Sequence, residues 1–446
     1  MDLFSESFGQ ALRRLEESGS DGMPPLLRPV QQDAASRFMA QGLPTFRHED
    51  WKYTNLMPLT KRSFHVTAHD DREMLSRDAF REIRFSARCK YRAVMVNGGF
   101  RPDLSNLDSL AHGLKVYSIR AASAAGHDDV ANALECSINR ESALTDLNTA
   151  FLHDAVVVDL GEGITVPEPL HLIFIGSGDA SHFLRLPRVI IHARRNCSIR
   201  IIEEYVSVGH DQGLTNAVTE ITLDEGATVH HHRLQVESRE ASHIGRIYAT
   251  AAGNSRFVSD SVSFGASLAR IDIDVALAEQ GASCRLNGLF VAGGNQHVDH
   301  HTLIDHVVGN THSDELYRGI IDERGRGVFN GKVIVRKDAQ KISARQTSNN
   351  LLLSRHAEID TKPQLEIYAD DVICAHGATV GQLDADALFY LRSRGMSEED
   401  ARALLTYAFA ERVVEDIPVE GIRRWIENRF IRGGGYRDFM EALATA

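Results

Sequence analysis

The sequence has few cysteines, and their spacing suits neither a disulfide framework nor a zinc module. Five cysteines occur in 446 residues, and no two of them form a C-x-x-C pair. Disulfide-rich secreted folds and zinc modules depend on several closely spaced cysteines. A metal site in this chain would therefore have to assemble isolated ligands through folding or through a partner.

Long apolar runs and an excess of basic residues are also missing. Apolar runs such as residues 155–158 and 171–176 are far shorter than the roughly 18 residues of a membrane span. The net charge of −12 opposes binding to a phosphate backbone. The first residues lack the basic start and continuous apolar segment of a signal peptide. We therefore expect a cytoplasmic protein that binds neither membrane nor nucleic acid.

Motifs of common catalytic sites are absent as well. The sequence contains no G-x-S-x-G and no H-E-x-x-H. Gly327 and Gly331 are separated by three residues and a valine follows Lys332, whereas a phosphate-binding loop needs four residues and then Ser or Thr. The adjacent acids Asp370 and Asp371 would point to opposite faces of a strand. Nothing in the sequence predicts an enzyme.

The period of the apolar residues divides the chain into three regions. Residues 1–150 are predicted to be helical or mixed, and they begin with an apolar stripe from Phe4 to Leu15 at helical spacing. Residues 151–384 carry short runs of Val, Ile and Leu between glycine-containing and polar corners, which predicts strands. Residues 385–446 return to a helical pattern.

A repeated corner within residues 151–384 predicts a parallel β-helix. EGATV (225–229), QGASC (280–284) and HGATV (376–380) share one pattern, which we interpret as a turn followed by a strand. No convincing amphipathic helix of a dozen residues separates the apolar runs, so crossover helices are not available. Stacked coils satisfy the pattern because each coil can bury its apolar face against its neighbours. A jelly roll or a β-sandwich is the alternative.

The C-terminal region predicts two helices with a large apolar surface. Ser397 and Asp400 resemble a capping box at the start of the first helix. The apolar positions at helical spacing, together with the tryptophan of the second helix, are Leu405, Phe409, Val413, Ile417 and Trp425. This is more apolar surface than a terminal pair of helices needs.

Cys374 and His376 form the most specific pair of candidate ligands. They lie two residues apart in DDVICAHGATVGQLD (370–384), so on a strand they would point to the same face. Thiolate and imidazole are suitable ligands for iron or an iron-sulfur cluster. A buried cysteine that acts as a small apolar residue is the plainer alternative. Two ligands leave an iron undersaturated, so further ligands would have to come from a partner or from bound sulfide.

The histidines do not predict a second metal site. Two clusters stand out among the 21 histidines, at residues 230–232 and 297–312. Three consecutive residues of a strand cannot point to one face, and neither cysteine nor glutamate accompanies the second cluster. We interpret both clusters as solvated or hydrogen-bonded strand residues.

Four segments resemble one known family. They are FRHEDWKYTNL (46–56), GVFNGKVIVRKDAQKISARQTSNNLLLS (327–354), KPQLEIYADDVICAHGATVGQLD (362–384) and ALFYLRSRGMSEEDARALLTYAF (387–409). These segments resemble the SufB/SufD family of iron-sulfur cluster assembly proteins. The E-x-W-K-Y-T connector and the HGATVG string resemble the SufD members more than the SufB members.

The resemblance implies a fold and a set of partners. The expected fold is a right-handed parallel β-helix flanked by N-terminal and C-terminal helical regions. The expected role is that of a non-catalytic subunit of a scaffold complex, which pairs with a SufB-like subunit through the β-helix edge and binds a SufC-like ABC-type ATPase through its C-terminal helices. The residues implied in ATPase docking are Leu405, Phe409, Val413 and Trp425.

The resemblance also implies site residues. His376 and Cys374 would be interface ligands for a transient iron-sulfur cluster or iron, with a cysteine and a glutamate supplied by the SufB-like subunit. The reactive cysteine of SufB matches a segment in which this chain has Asn349 and Asn350. We therefore expect no tightly bound cofactor in the isolated chain. A reduced flavin in the complex and a homodimer of the isolated chain stay open, as do a self-sufficient homodimeric scaffold and a carbohydrate-acting β-helix enzyme.

Overall fold

Two long sheets run side by side and form a parallel β-solenoid, with helices before and after it. The architecture comes from a computed structural model that describes residues 3–18, 27–66, 75–83, 85, 89–124, 142–178 and 182–431. The mainly β class and the flanking helical regions are confirmed. Cys136 lies outside the described residues.

The first sheet is parallel from its second strand onward. Its strands, in spatial order, are β4 (Leu114–Ser118), β5 (Val156–Leu160), β8 (Arg188–Ala193), β10 (Leu214–Leu223), β12 (Ser242–Ala251), β14 (Leu268–Leu277), β16 (His297–His306), β18 (Arg326–Val335) and β20 (Glu358–Ile367). Two short strands, β1 (His65–Val66) and β7 (Phe183–Arg185), pair with each other, and β7 also pairs with β10. The first strand, β4, is antiparallel to its neighbour β5.

The second sheet is built in the same way. Its strands are β3 (Gly99–Phe100), β2 (Tyr91–Val96), β6 (Leu170–Ser177), β9 (Ser198–Val208), β11 (Thr228–Val236), β13 (Arg256–Ser263), β15 (Ser283–Ala292), β17 (His312–Ile321), β19 (Ile342–Leu352) and β21 (Val372–Gly381). Because β2 pairs in parallel with β6, this sheet begins within residues 1–150, the region predicted to be helical or mixed.

Helices precede and follow the strands of the solenoid, and the C-terminal helices pack against its second sheet. They are α1 (Leu3–Ser18), α2 (Leu27–Gln41), α3 (Met57–Thr60), α4 (Arg77–Glu82), α5 (Ile119–Ala124), α6 (Ala143–Ala150), α7 (Ala385–Ser393), α8 (Glu398–Val414) and α9 (Glu420–Ile431). As predicted, Ser397 caps α8, since its hydroxyl accepts the backbone N–H of Asp400 at 3.0 Å. Within the described ranges, no helix is long and apolar enough to cross a membrane.

Two of the apolar cores lie on opposite faces of the second sheet, because side chains alternate along its strands. The first fills the space between the sheets and includes Val229, Phe257 and Leu286. The second lies outside the second sheet, where Phe264 packs against the C-terminal helices with Val413 among its members. Opposite faces of one sheet therefore pack against the interior and against α8 and α9.

Of the three strings that the sequence predicts to be corners, two are turns in the structure and one is not. EGATV and QGASC are turns followed by strands, and Gly226 and Gly281 take positive φ angles of 69° and 78° there. The third string, HGATV, is not a corner, because all of it lies within β21. The turn that precedes β21 lies at residues 368–371. Small residues alone therefore do not mark a turn. Gly377 lies on a strand, and no atom of the described residues lies within 4 Å of the position that a Cβ would take there.

The connector at residues 46–56 fastens the N-terminal region to the outer face of the first sheet. Arg270 on β14 lies over the Trp51 ring at 3.8 Å and donates to the Asp50 carbonyl at 2.6 Å. The buried Thr54 hydroxyl donates to Asp299 on β16. These contacts hold the connector against the sheet, and we call the set formed by Asp50, Trp51, Thr54, Arg270 and Asp299 the clasp.

Replacing Trp51 should destabilise the fold. Trp51→Ala removes the half-buried ring that Arg270 covers, so we expect the free energy of unfolding to fall by about 1–3 kcal/mol. The matched control is Phe46→Ala, because Phe46 belongs to the same connector but is 59% exposed. Chemical denaturation of both variants measures the difference. Equal losses of stability would contradict the clasp.

The solenoid interior also encloses polar groups near its C-terminal end. Glu315 on β17 is buried, and its carboxylate accepts a hydrogen bond of 2.6 Å from the Gln346 amide on β19. Burial is the main cause that raises the pKa of Glu315 to about 7. Since the unfolded chain loses this proton near pH 4.5, the native carboxyl holds a proton that the unfolded carboxyl has lost between about pH 4.5 and 7.

Glu315 should make the protein less stable as the pH rises. With a native pKa above the unfolded one, the free energy of unfolding falls between about pH 4.5 and 7, by roughly 3 kcal/mol at most. Glu315→Gln should therefore gain stability relative to the parent protein between pH 5 and pH 8. Denaturation at both pH values measures the gain, with the exposed Glu162→Gln as control. A pH-independent difference would refute the assignment.

Candidate functional site

The last coil of the solenoid ends with open strands. In the described part of the chain, β21 pairs only with β19, and β20 pairs only with β18. One edge of each terminal strand therefore has backbone N–H and C=O groups without a neighbouring strand. Such an edge can accept a further strand from another protein.

Cys374 and His376 lie on β21, at this open end. They point to the same face, about 7 Å apart between Cα atoms, since two strand residues span about that length. Cys374 is half-buried and packs against the interior core, while His376 is exposed. No hydrogen bond joins the His376 ring to another residue in the described ranges. The structure thus brings the two predicted ligands together at the rim of the solenoid.

Burial governs the chemistry of the Cys374 thiol. Partial burial raises the pKa of this thiol above its ordinary value, and a backbone hydrogen bond at Ala344 opposes the shift. The group is therefore a protonated thiol at neutral pH. Binding of a metal ion through Cys374 would release that proton, because the ligand is the thiolate.

The strand beneath β21 supplies no further thiol. Ala344 and Gln346 are the register partners of Cys374 and His376. Asn349 accepts a hydrogen bond of 2.8 Å from the Thr379 hydroxyl, and Asn350 is buried in the interior. This part of the chain therefore offers one sulfur and one imidazole to a metal ion.

Exposed apolar side chains surround the open end. They are Ile367, Tyr368, Ile373 and Val380, and Ile373 is 78% exposed. Apolar groups beside unpaired strand edges are characteristic of a surface that another protein covers.

Histidines of both clusters lie on strands beside buried carboxylates. His232 lies 2.9 Å from Asp260, His231 lies 3.2 Å from Glu203, and His301 lies 3.0 Å from Asp299. Throughout the ranges that the structure describes, no group of three or more His, Cys, Asp or Glu side chains is arranged to hold a metal ion.

The predicted docking residues are used in part within the chain. Val413 is 0% exposed, and Phe409 and Trp425 are half-buried against the core outside the second sheet. Leu405 is half-buried as well. Part of the apolar stripe on α8 and α9 is therefore not available to a partner, because it attaches these helices to the solenoid.

Other residues present the exposed apolar surface of this region. None of the residues of α7 is buried, and its Phe389 and Tyr390 are 74% and 56% exposed. Leu404 on α8 is exposed too. Sequence reasoning missed these residues; the signal was the run ALFYL, whose aromatics come shortly after the terminal strand.

Comparison with known proteins identifies the family. The model described as "SufBD protein N-terminal region" matches residues 4–172, and the one described as "SUF system FeS cluster assembly, SufBD core domain" matches residues 174–409. An iron-sulfur cluster assembly SufBD family protein of Synechocystis is 32% identical over 88% of both chains. The iron-sulfur cluster assembly protein SufD of Escherichia coli is 31% identical over 89% of this chain and 91% of its own. This chain belongs to the SufBD family of iron-sulfur cluster assembly proteins.

Proposed function

We propose that this chain is a non-catalytic subunit of a SUF scaffold complex, which pairs with a SufB-like subunit and holds iron or a nascent cluster between the two. The observation that carries the proposal is the position of Cys374 and His376 on one face of the terminal strand. Iron or the cluster is the cargo of this site and leaves it for other proteins.

The open edges support pairing with a second β-solenoid. Within the described ranges, one edge of each terminal strand, β20 and β21, is unpaired, and a parallel or antiparallel strand of a partner can pair with it. The exposed Ile373 and Val380 would be buried by the same contact. Burial of apolar area then adds to the backbone hydrogen bonds.

The ligand set supports sharing of the cargo. Iron in clusters takes four ligands, and this end of the chain offers the Cys374 sulfur and the His376 ring. The remaining ligands would come from the partner subunit and from sulfide. Cys374 would bind as thiolate after losing its proton, and the exposed imidazole of His376 would bind through one ring nitrogen.

The exposed aromatics of the C-terminal region support docking of an ATPase subunit. Phe389, Tyr390 and Leu404 are exposed, with the half-buried Leu405 on the same helix as Leu404. Aromatic side chains are enriched among the residues that dominate protein interfaces. We therefore assign the SufC-like contact to α7 and the first half of α8, while Val413 stabilises the chain itself.

Replacing His376 should reduce the cargo without disturbing assembly. In the complex coexpressed with SufB-like and SufC-like partners, His376→Ala should lower bound iron and sulfide about tenfold or more, because a direct ligand is lost. Subunit stoichiometry and melting temperature should be unchanged, since His376 is exposed. Iron and sulfide analysis of the anaerobically purified complex gives the result.

His356→Ala is the matched control, because His356 is an exposed histidine in the turn before β20. Its iron and sulfide content should equal that of the parent complex. Parental iron and sulfide content in the His376→Ala complex would refute the ligand role. If the isolated chain held a stable cluster alone, the shared site would be wrong and a self-sufficient homodimer would replace it.

Replacing Phe389 should weaken binding of the ATPase. Phe389→Asp puts a charge in the exposed aromatic surface, so we expect the dissociation constant to rise at least tenfold. Folding should be unaffected, because no residue of α7 is buried. Titration of the purified ATPase subunit against the variant measures the change.

The control for this experiment is Met39→Asp, which places a charge at an exposed apolar residue of α2. Its affinity for the ATPase should match that of the parent chain. An undiminished affinity of Phe389→Asp would exclude α7 from the contact.

A further inference from the structure

Three polar side chains form a column that leads from the solenoid interior to the candidate ligand. Glu315, Gln346 and His376 are register partners on β17, β19 and β21. Neighbouring strands lie about 4.8 Å apart, so side chains of such a column can contact each other. Glu315 and Gln346 are enclosed, each 1% exposed, whereas His376 lies at the open end.

The Gln346 amide has one fixed end and one free end. Its Nε2 donates to the Glu315 carboxylate at 2.6 Å, so the amide oxygen Oε1 is not part of this hydrogen bond. Oε1 is buried and has no hydrogen-bond partner among the described residues. A buried acceptor without a donor costs free energy, so such an atom calls for a functional or structural reason.

The His376 ring has the complementary requirement. A neutral imidazole has one N–H donor and one nitrogen with a free lone pair, and only the latter can bind a metal ion. A hydrogen bond to the N–H fixes the tautomer and the ring orientation, and ligand histidines in proteins almost always make one. The described residues give His376 no such bond, while Gln346 Oε1 lies on the adjacent strand at the same register position.

We infer that Gln346 is a positioning residue for His376: rotation of the exposed His376 ring lets it donate one N–H to Gln346 Oε1 and present the other nitrogen to the cargo. This inference rests on the proposed function for the ligand role of His376. Glu315 supports this arrangement, because its hydrogen bond to Gln346 Nε2 keeps the amide oxygen of Gln346 directed away from the Glu315 carboxylate. The ligand at the rim is thereby connected to the rigid interior of the solenoid.

Gln346→Met tests the inference, because methionine has a similar length but no acceptor oxygen. The first readout is the tautomer of His376 in the isolated full-length chain, measured by long-range proton–nitrogen NMR with histidine labelled by nitrogen-15. The parent chain should show one dominant tautomer and the variant a mixture. The second readout is iron(II) binding by the complex with its partners, which should weaken about tenfold or more.

Gln364→Leu is the matched control. Gln364 lies on β20, the strand that precedes the strand of His376, and its side chain makes no hydrogen bond among those that the structure describes. It should keep the parental tautomer and iron(II) affinity. Gln346→Glu keeps an acceptor oxygen and should restore the dominant tautomer. If Gln346→Met does not fold, Gln346→Glu decides alone, and a tautomer mixture in that variant overturns the inference.

The two hypotheses fail in different ways. If Gln346→Met keeps both the parental tautomer and the parental iron(II) affinity, the positioning role is wrong while the ligand role stands. If His376→Ala binds iron(II) as the parent complex does, the proposed function is wrong. The tautomer measurement on the isolated chain still decides the role of Gln346 in that case, because it needs neither iron nor a partner.

Discussion

Stacking of each parallel coil on the one before it is the constraint on which this structure depends. The backbone groups of a coil are satisfied by the coils on either side, and its apolar side chains are buried against the same neighbours. A last coil therefore has unpaired strands unless a helix or another chain covers them. In this protein the last strands are β20 and β21, and the candidate ligands Cys374 and His376 lie on the latter.

Because the strands pair in parallel register, residues about 30 positions apart in the sequence lie next to each other on neighbouring strands. Glu315, Gln346 and His376 are far apart in the sequence, yet they are neighbours in one column. The same register lets the fold enclose charged groups, because the buried His232 on β11 is the register partner of the buried Asp260 on β13 and lies 2.9 Å from it. The contacts of a side chain in this fold are therefore set more by the residues of the preceding coil than by its neighbours in the sequence.

Local periodicity was enough to predict the solenoid and the pair of candidate ligands. The strand pattern indicated the fold, and alternation along one strand put Cys374 and His376 on one face. Register was not readable, because it depends on the length of each turn; this is why HGATV was mistaken for a corner and why Gln346 was missed. The clasp was also hidden, since Thr54 and Asp299 are 245 residues apart and only the folded chain brings them together.

Apolar patterning likewise could not separate the chain's own core from a docking surface. Val413 continues the helical stripe of α8 but is fully buried, whereas the exposed Phe389 belongs to the short α7. Only residues 382–384 separate α7 from β21, and three residues span at most about 10 Å. Asp384 also caps α7, which fixes the direction in which the helix leaves the strand. A protein bound to Phe389 would thus be attached, through a short and ordered connection, to the strand that carries His376.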